Sequence, residues 1–372
     1  MANLPRIAIV GAGPGGLMLA RLLQIRGLTA VVFERDPDAK HRPQGGSLDL
    51  HKETGQRALR LAGLYEPFLS HARPEDQGDR LYDSTGALLF DHAGDDFQRP
   101  EIDRTALRDI LLQSIETETV RWGAKVTEIR AQSDRAHQVL TEDGAEEFDI
   151  VVGADGAWSR VRPLLSSAEP GYEGVVFVEL GFDAEAHRFV DELTGAGKMF
   201  AVGDNRALVA QRNGLGHIRG YAGWRAPEAA AKQLAEQQAE RVRAAALKVF
   251  DGWAPTLTAM IQQGALLGVR PLYALPIGHC WTSREGLTLL GDAAHLMSPF
   301  AGEGVNLALA DAADLADALT SGRGWAALAQ AEAAIADRAK IAAEESAEGL
   351  RATFSPDGVA RVLQHYHARL AG

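Results

Sequence analysis

The chain opens on a short apolar run, "RIAIV" (Arg6 to Val10), followed by the glycine-rich "GAGPGG", apolar residues at helical spacing in "LMLARLLQIRG", and a second apolar run, "TAVVFER". A continuous run of four or five apolar residues suits a strand buried on both faces. Spacing of i, i+3 and i+4 suits a helix with one buried stripe. The pattern therefore predicts strand, turn, helix, strand, which is a βαβ unit.

Downstream, "HRPQGGSLDLHKETGQRALRLAGL" reads as a Gly-rich loop, a strand and a helix, and "DSTGALLFDHAGDD" as a hairpin. "RTALRDILLQSI" has helical spacing. "AKVTEIRAQ", "AHQVLTED" and "EFDIVVGADG" read as strands around an "EDGA" turn.

From about Tyr172 to Leu275, alternating segments carry an Asn213-Gly214 hairpin signal and are interrupted by one Ala/Gln/Glu-rich helix from Pro227 to Phe250. After Gly324 the chain is Ala-rich and helical in period, free of proline until Pro356. The expected architecture is α/β: a Rossmann-like cofactor domain (1–71, 101–171 and 276–322) interleaved with a β-rich domain (72–100 and 172–275), plus a C-terminal helical segment (323–372).

Composition narrows the function. The 372 residues exceed what one hydrophobic core usually serves, and 46% hydrophobic with 24% charged residues is ordinary for a soluble globular chain. A net charge of −12 argues against nucleic acid or an anionic membrane as partner. No stretch reads as a signal peptide or membrane span. The single cysteine, Cys280, excludes an intrachain disulfide and is expected to be a buried, inert thiol in a reducing, cytoplasmic setting.

Three stretches could carry chemistry. Gly11, Gly13 and Gly16 stand in G-x-G-x-x-G register after a strand and at a helix start, where glycine permits a tight turn and close approach of backbone to a pyrophosphate. Glu34 ends the second strand, where a carboxylate can accept hydrogen bonds from an adenosine ribose. That favours FAD or NAD over NADP; Arg35 beside it would stack on adenine or be solvated. Asp155-Gly156 in "DIVVGADGAWSRVR" is either a second cofactor contact or a plain Asp-Gly turn.

The third stretch, "LTLLGDAAHLMSPFAGEGVNLALADA", places Asp292 at a strand end, where a buried acid is expected that needs donors such as ribityl hydroxyls. Gly302, Gly304, Val305 and Asn306 then open a long helix whose N-terminus suits an electron-rich ring that gains negative charge on reduction. His295 is expected to be a satisfied histidine of this loop rather than a catalytic one. No G-x-S-x-G or H-E-x-x-H occurs, and no metal site is expected.

In this order and spacing, the three stretches resemble the class A flavoprotein monooxygenases, which share the fold of para-hydroxybenzoate hydroxylase. "GGSLDLHKETGQRAL", "PEIDRTALRDILLQSIE" and "GDAAHLMSPFAGEGVN" are similar to the TetX-like tetracycline-inactivating monooxygenases, a family of antibiotic-resistance enzymes. The resemblance implies non-covalent FAD held by Asp49, Arg108 and Asp292, and Arg42 on the phosphate of NADPH. NADH stays open as the alternative donor.

It also implies a substrate wall. The family's glutamine, arginine and histidine positions fall on Glu179, Arg206 and Arg219, so only Arg206 keeps the family residue; Pro299 and Phe300 are assigned to the same wall. Gly45 and Gly46 would let backbone approach the flavin ring, and Arg108 could bond phosphate or be a surface helix charge.

The implied reaction is monooxygenation of a polycyclic phenol or enol, such as a tetracycline or another aromatic polyketide. NAD(P)H reduces the flavin, O₂ adds at its C4a, and the hydroperoxide delivers one oxygen, with no catalytic side chain. A monomer is expected. The same cofactor lobe would serve an FAD-dependent reductase or dehydrogenase, or a protein that merely holds FAD or an aromatic ligand.

Overall fold

The computed structural model describes residues 4–41, 45–94, 98–133 and 136–371. The expected βαβ unit is β1 (Ile7–Val10), α1 (Pro14–Gln24) and β2 (Ala30–Phe33). It is followed by β3 (Ser47–Asp49), α2 (Gly55–Leu61), α3 (Tyr65–Leu69), the hairpin β4 (Gly78–Asp83) and β5 (Leu88–His92), β6 (Glu101–Asp103), α4 (Arg104–Gln113) and β7 (Val120–Arg121). Next come β8 (Glu128–Ser133), β9 (Ala136–Thr141), β10 (Gly144–Phe148) and β11 (Ile150–Gly153).

The second half runs through β12 (Gly171–Asp183), α5 (Arg188–Thr194), β13 (Gly197–Gly203), β14 (Arg206–Arg212) and β15 (His217–Arg225). Then follow α6 (Glu228–Ala235), α7 (Ala239–Val249), α8 (Pro255–Gln263), β16 (Ala265–Ala274), β17 (Leu287–Leu289), α9 (Asp292–His295), α10 (Gly304–Thr320), α11 (Trp325–Thr353) and α12 (Gly358–Ala371).

A five-stranded sheet, in the order β17-β11-β1-β2-β7, is parallel throughout. Parallel strands need crossovers and cover on both faces, which explains their continuous apolar runs. Ile7, Ile9 and Val32 meet α1, α2, α4 and α10 on one face. Ala8, Val10, Phe33 and Val151 meet the antiparallel β8–β9–β10 meander on the other.

The second sheet has seven strands in the order β16-β12-β15-β14-β13-β4-β5, with β13 and β4 parallel and every other neighbour antiparallel. One face packs Val176, Val178, Leu208 and Trp224 against Val242, Phe250 and Met260 of the α7–α8 layer. The other packs Phe177, Val202 and Phe90 against Phe354, Val362 and Tyr366 of the C-terminal helices, and leaves its remaining rows facing β3 and β6.

Two expectations are corrected. The single helix from Pro227 to Phe250 is two, because α6 packs on β16 while α7 packs on α8, and one straight rod cannot follow both surfaces. The expected C-terminal helical segment is formed by α11 and α12, which part at Pro356, a residue that cannot continue a hydrogen-bonded turn. Cys280 is exposed, because it lies on the irregular loop between β16 and β17 rather than in a core element. Among the described residues, no helix is long and apolar enough to cross a membrane.

Candidate active site

The parallel sheet presents four chain reversals at one edge. Gly11 follows β1, Glu34 follows β2, Asp155 follows β11 and Asp292 follows β17. Ligands of open α/β sheets sit in the crevice at the carboxyl ends of the strands, and these reversals line it. Gly11 has φ +108, and a Cβ there would lie 2.4 Å from the Ala154 carbonyl oxygen. A Cβ on Gly16 would lie 2.2 Å from the Gly11 carbonyl oxygen. Both glycines are thus demanded by packing of the turn, whereas a Cβ on Gly13 would meet only open space.

Glu34 is buried, and its two oxygens accept hydrogen bonds from the N–H groups of Ala12 (2.8 Å) and Asp36 (3.0 Å). The carboxylate shapes the glycine turn and keeps lone pairs for a hydroxyl donor. Arg35 is exposed beside it. Asp155 accepts from the Arg160 N–H (2.6 Å) through Oδ2, while its buried Oδ1 has no hydrogen-bond partner among the described residues. Burial pushes its carboxyl above the ordinary range despite the Ser159 hydrogen bond.

Arg108 is only 2% exposed: it donates to the Ala39 carbonyl (2.7 Å) and lies over the Trp122 ring (5.3 Å). It is therefore no surface charge. Arg42 lies outside the described residues.

Asp292 corrects the sequence reading. It is exposed, and no hydrogen bond or ion pair reaches its carboxylate among the described residues. It heads the single-turn helix α9 after Gly291, whose φ of +58 turns the chain outward from the strand. The buried acid of this region is Asp311, one helix further on.

Gly302, Gly304 and Val305 stand at the uncapped N-terminus of α10, and a Cβ on Gly304 would meet only open space. Asn306 is fully buried and its side chain is fully committed. Its Oδ1 accepts from the His51 N–H (2.9 Å), and its Nδ2 donates to the carbonyls of Asp49 (2.9 Å) and Gly302 (3.2 Å). Asn306 thereby staples β3 to the helix start.

Asp49 faces that staple through His51, whose Nε2 is 3.3 Å from Asp49 and whose Nδ1 is 2.9 Å from Glu303. Burial opposes charging of the ring, but the two carboxylates raise its pKa to about 9. Asp49 is lowered, because the His51 hydrogen bond and the charges of Lys198 and Arg99 outweigh its burial.

The residues present fit FAD. Two uncapped helix N-termini, the unpaired buried Oδ1 of Asp155, the solvent-facing Asp292 carboxylate and the open space at Gly13 and Gly304 match a diphosphate, hydroxyl donors and an electron-rich ring.

Opposite lies the polar part of the seven-stranded sheet. Glu179 pairs with Tyr221 across β12–β15, and Arg219 pairs with Gln211 across β14–β15, so these four side chains share one face. A Cβ on Gly46 would lie 3.5 Å from the Tyr221 hydroxyl and 3.7 Å from Cγ of Arg219, which puts that face directly against the β3 approach. Burial, followed by the Glu179 charge, pushes the Tyr221 phenol up, so it remains a proton donor. Arg270 Nε lies 3.3 Å from Glu179. The ring centroid of Phe300 lies 6.2 Å from that of Phe177, tilted to it, and 5.9 Å from that of Phe354, edge to face, while Pro299 beside it is exposed.

Arg206 is not brought to this wall. Paired with Trp224, it lies on the opposite face, donating to the Val249 carbonyl (2.5 Å), bridging Asp204 (2.9 Å) and resting over Trp253. It is also five β15 residues from Arg219's level, roughly 17 Å along a strand.

Sequence reading missed Tyr221, His51, Glu101 and Asp311. The first two had a usable signal, since each stands two residues from a named one and so shares its strand face or its end. Glu101 and Asp311 had none, because their partners are distant in sequence.

Residues 5–347 match the family described as an FAD binding domain. The monooxygenase AsqM of Emericella nidulans is 35% identical over 371 residues, covering 84% of this chain and 83% of that protein. The structure of Klebsiella pneumoniae HpxO, complexed with FAD and uric acid, shares the fold at a TM-score of 0.80 with 21% identity over 98% of this chain and 92% of that one. That of the tetracycline destructase Tet(51) does so at 0.75 with 17% identity over 100% and 95%. A cofactor crevice built for FAD and a family match over most of its length make this chain a member of the FAD binding domain family and an FAD-dependent monooxygenase.

Proposed function

We infer that the enzyme spends NAD(P)H and O₂ to hydroxylate a polycyclic phenol or enol, of the kind found in tetracyclines and other aromatic polyketides. The observation that carries this reading is the wall opposite Gly46. The half-buried ring of Phe300, backed by the buried rings of Phe177 and Phe354, lies beside a sheet face that carries two hydrogen-bond donors, Arg219 and Tyr221, and one acceptor, Glu179. Flat rings suit the apolar panel, and a substrate oxygen suits the donors. The shared fold with a tetracycline destructase supports the same substrate class.

When bound, FAD supplies the electron transfer and oxygen activation that side chains cannot. Glu34, Asp155, Asp292 and the N-termini of α1 and α10 would hold it, with Asp49 and Arg108 beside them. Tyr221, Arg219 and Glu179 orient the substrate over Gly46, and the Phe177–Phe300–Phe354 cluster excludes water. Residues 72–100 and 172–275 form the substrate lobe in this reading.

If the donor is NADPH rather than NADH, its phosphate is assigned to Arg42, and the Arg42→Ala holoenzyme is expected to keep FAD and show a raised KM for NADPH. The deciding experiment screens tetracyclines and anthraquinone-like polyketides for stimulated NADPH oxidation, with product masses recorded. A product heavier by one oxygen supports the reading. Turnover of such compounds without oxygen incorporation, or no response from the whole class, overturns it.

A further inference from the structure

We propose that Asp311 is the positioning residue of the FAD site, holding the turn that carries Asp292 from behind and tying it to helix α11. The inference rests on the reading that Asp292 contacts FAD; it concerns retention of FAD and does not depend on the identity of the substrate.

Asp311 is fully buried, yet its carboxylate accepts three hydrogen bonds. Oδ2 takes the Gly291 N–H (3.0 Å) and Nε2 of His295 (2.5 Å), and Oδ1 takes Nη2 of Arg338 (2.9 Å). Gly291 and His295 are the two ends of the single turn whose first residue is Asp292, and the His295 N–H closes that turn on the Gly291 carbonyl (2.9 Å). One buried carboxylate therefore fixes both ends of the turn that carries Asp292.

The burial is electrically balanced. Desolvation alone would raise the Asp311 carboxyl, but His295 and Arg338 outweigh it and hold it below the usual range. Asp311 in turn raises the His295 imidazole against its own burial. Beyond Arg338 the chain of charges continues through Asp314 (2.9 Å) to Arg57 (2.9 Å) on α2.

Packing alone does not call for an acid here. Leu309, Ala310, Ala312, Ala313 and Leu315 around it are all buried, and an apolar residue at 311 would bury α10 equally well. Replacing a whole buried ion pair by apolar residues is often neutral or stabilising, whereas removing one partner alone strands the other, so Asp311 is tied to the donors it holds rather than to the packing of α10. What the carboxylate does that an apolar side chain cannot is take the Gly291 N–H and the His295 ring together.

The same helix, α11, grips the far end of the loop as well. Ser346 donates to the Ser298 carbonyl, and a Cβ on Gly349 would lie 2.9 Å from Cβ of Phe300. Asp292 and Phe300, on the cofactor and substrate sides of one loop, are thus both referenced to α11.

The test measures FAD release from purified holoenzyme after dilution, by recovery of flavin fluorescence, alongside the melting temperature of each apoprotein. Arg338→Leu, at a partly exposed position, is expected to release FAD at least tenfold faster with a native circular dichroism spectrum. Arg338→Lys should restore most of the retention. Asp314→Asn loosens the same helix pair without touching Asp311 and should stay within twofold of the parent. Asp311→Asn is expected to exceed the Arg338→Leu effect; should it fail to fold, the Arg338 pair decides. Unchanged release in Arg338→Leu, or an equal effect in Asp314→Asn, overturns the proposal.

Discussion

The hydroxyl of Ser47 donates to Oε2 of Glu101 over 2.6 Å, while Nε2 of Gln211 reaches Oε1 of the same carboxylate at 3.0 Å. Ser47 and Glu101 belong to the β3–β6 pair of the cofactor side, and Gln211 belongs to the seven-stranded sheet, so Glu101 is a seam between the two. Arg73 and Asp103 continue the seam, with the Gly214 N–H donating to Asp103 at 2.9 Å. Burial, then the nearby Asp49 charge, raise the Glu101 pKa to about 7 against the pull of Lys198 and Arg73.

This shift sets a stability slope. A carboxyl whose folded pKa lies above its unfolded value contributes stability that is complete below the unfolded pKa and is lost as pH rises through the folded one. Glu101 therefore stabilises the fold below about pH 4.5 and ceases to by about pH 7. Glu101→Gln, which cannot ionise, is expected to remove a pH-dependent contribution on the order of 1–3 kcal/mol between those values. Melting curves of parent and variant from pH 4.5 to 8 read it: their difference should change with pH, and parallel curves would refute the assignment.

His51 has the same sign in a higher window. Held between Asp49 and Glu303, its pKa is raised to about 9, so its contribution is fully present below about pH 6.5 and lost as pH rises through about 9. His51→Gln is expected to flatten stability between pH 6.5 and 9, measured by denaturant midpoints at fixed ionic strength. A variant that keeps the parent's alkaline decline would show that another group carries it.

The legible part of this molecule was local. The βαβ unit, the β14–β15 hairpin and the helix opening at Gly304 each follow from residues within about ten positions of one another, although the hairpin's left-handed residues are Leu215 and Gly216 rather than Asn213 and Gly214. Asp292 and Asp311 show the limit: both follow apolar stretches in one segment, and which of them is buried is decided by Gly291 turning outward and by His295 and Arg338 converging from elsewhere. Position along β14 was equally illegible, since one residue of register decides the face a side chain takes.

Asp292→Ala separates retention from folding. The carboxylate is exposed and unpaired among the described residues, so its removal should leave the melting temperature of the apoprotein within a degree or two. Loss of a charged hydrogen-bond acceptor for FAD is expected to weaken affinity about ten- to hundredfold. Fluorescence titration of the apoprotein measures it, and unchanged affinity would remove Asp292 from the FAD contacts.

Arg206 and Arg219 make the sharpest contrast between family alignment and geometry. Arg219 shares a face with Tyr221 and lies against Gly46, so Arg219→Ala is expected to raise the substrate KM about ten- to hundredfold, the worth of a charge-assisted hydrogen bond, with stability little changed. Arg206 is occupied on the other face by the Val249 carbonyl, Asp204 and Trp253, so Arg206→Ala should leave KM unchanged and destabilise the lobe by about 1–2 kcal/mol. Steady-state kinetics and urea unfolding on the same two variants check both halves. A raised KM in Arg206→Ala with normal stability would mean that the catalytic arrangement brings Arg206 to the substrate after all, which requires β14 to present its opposite face.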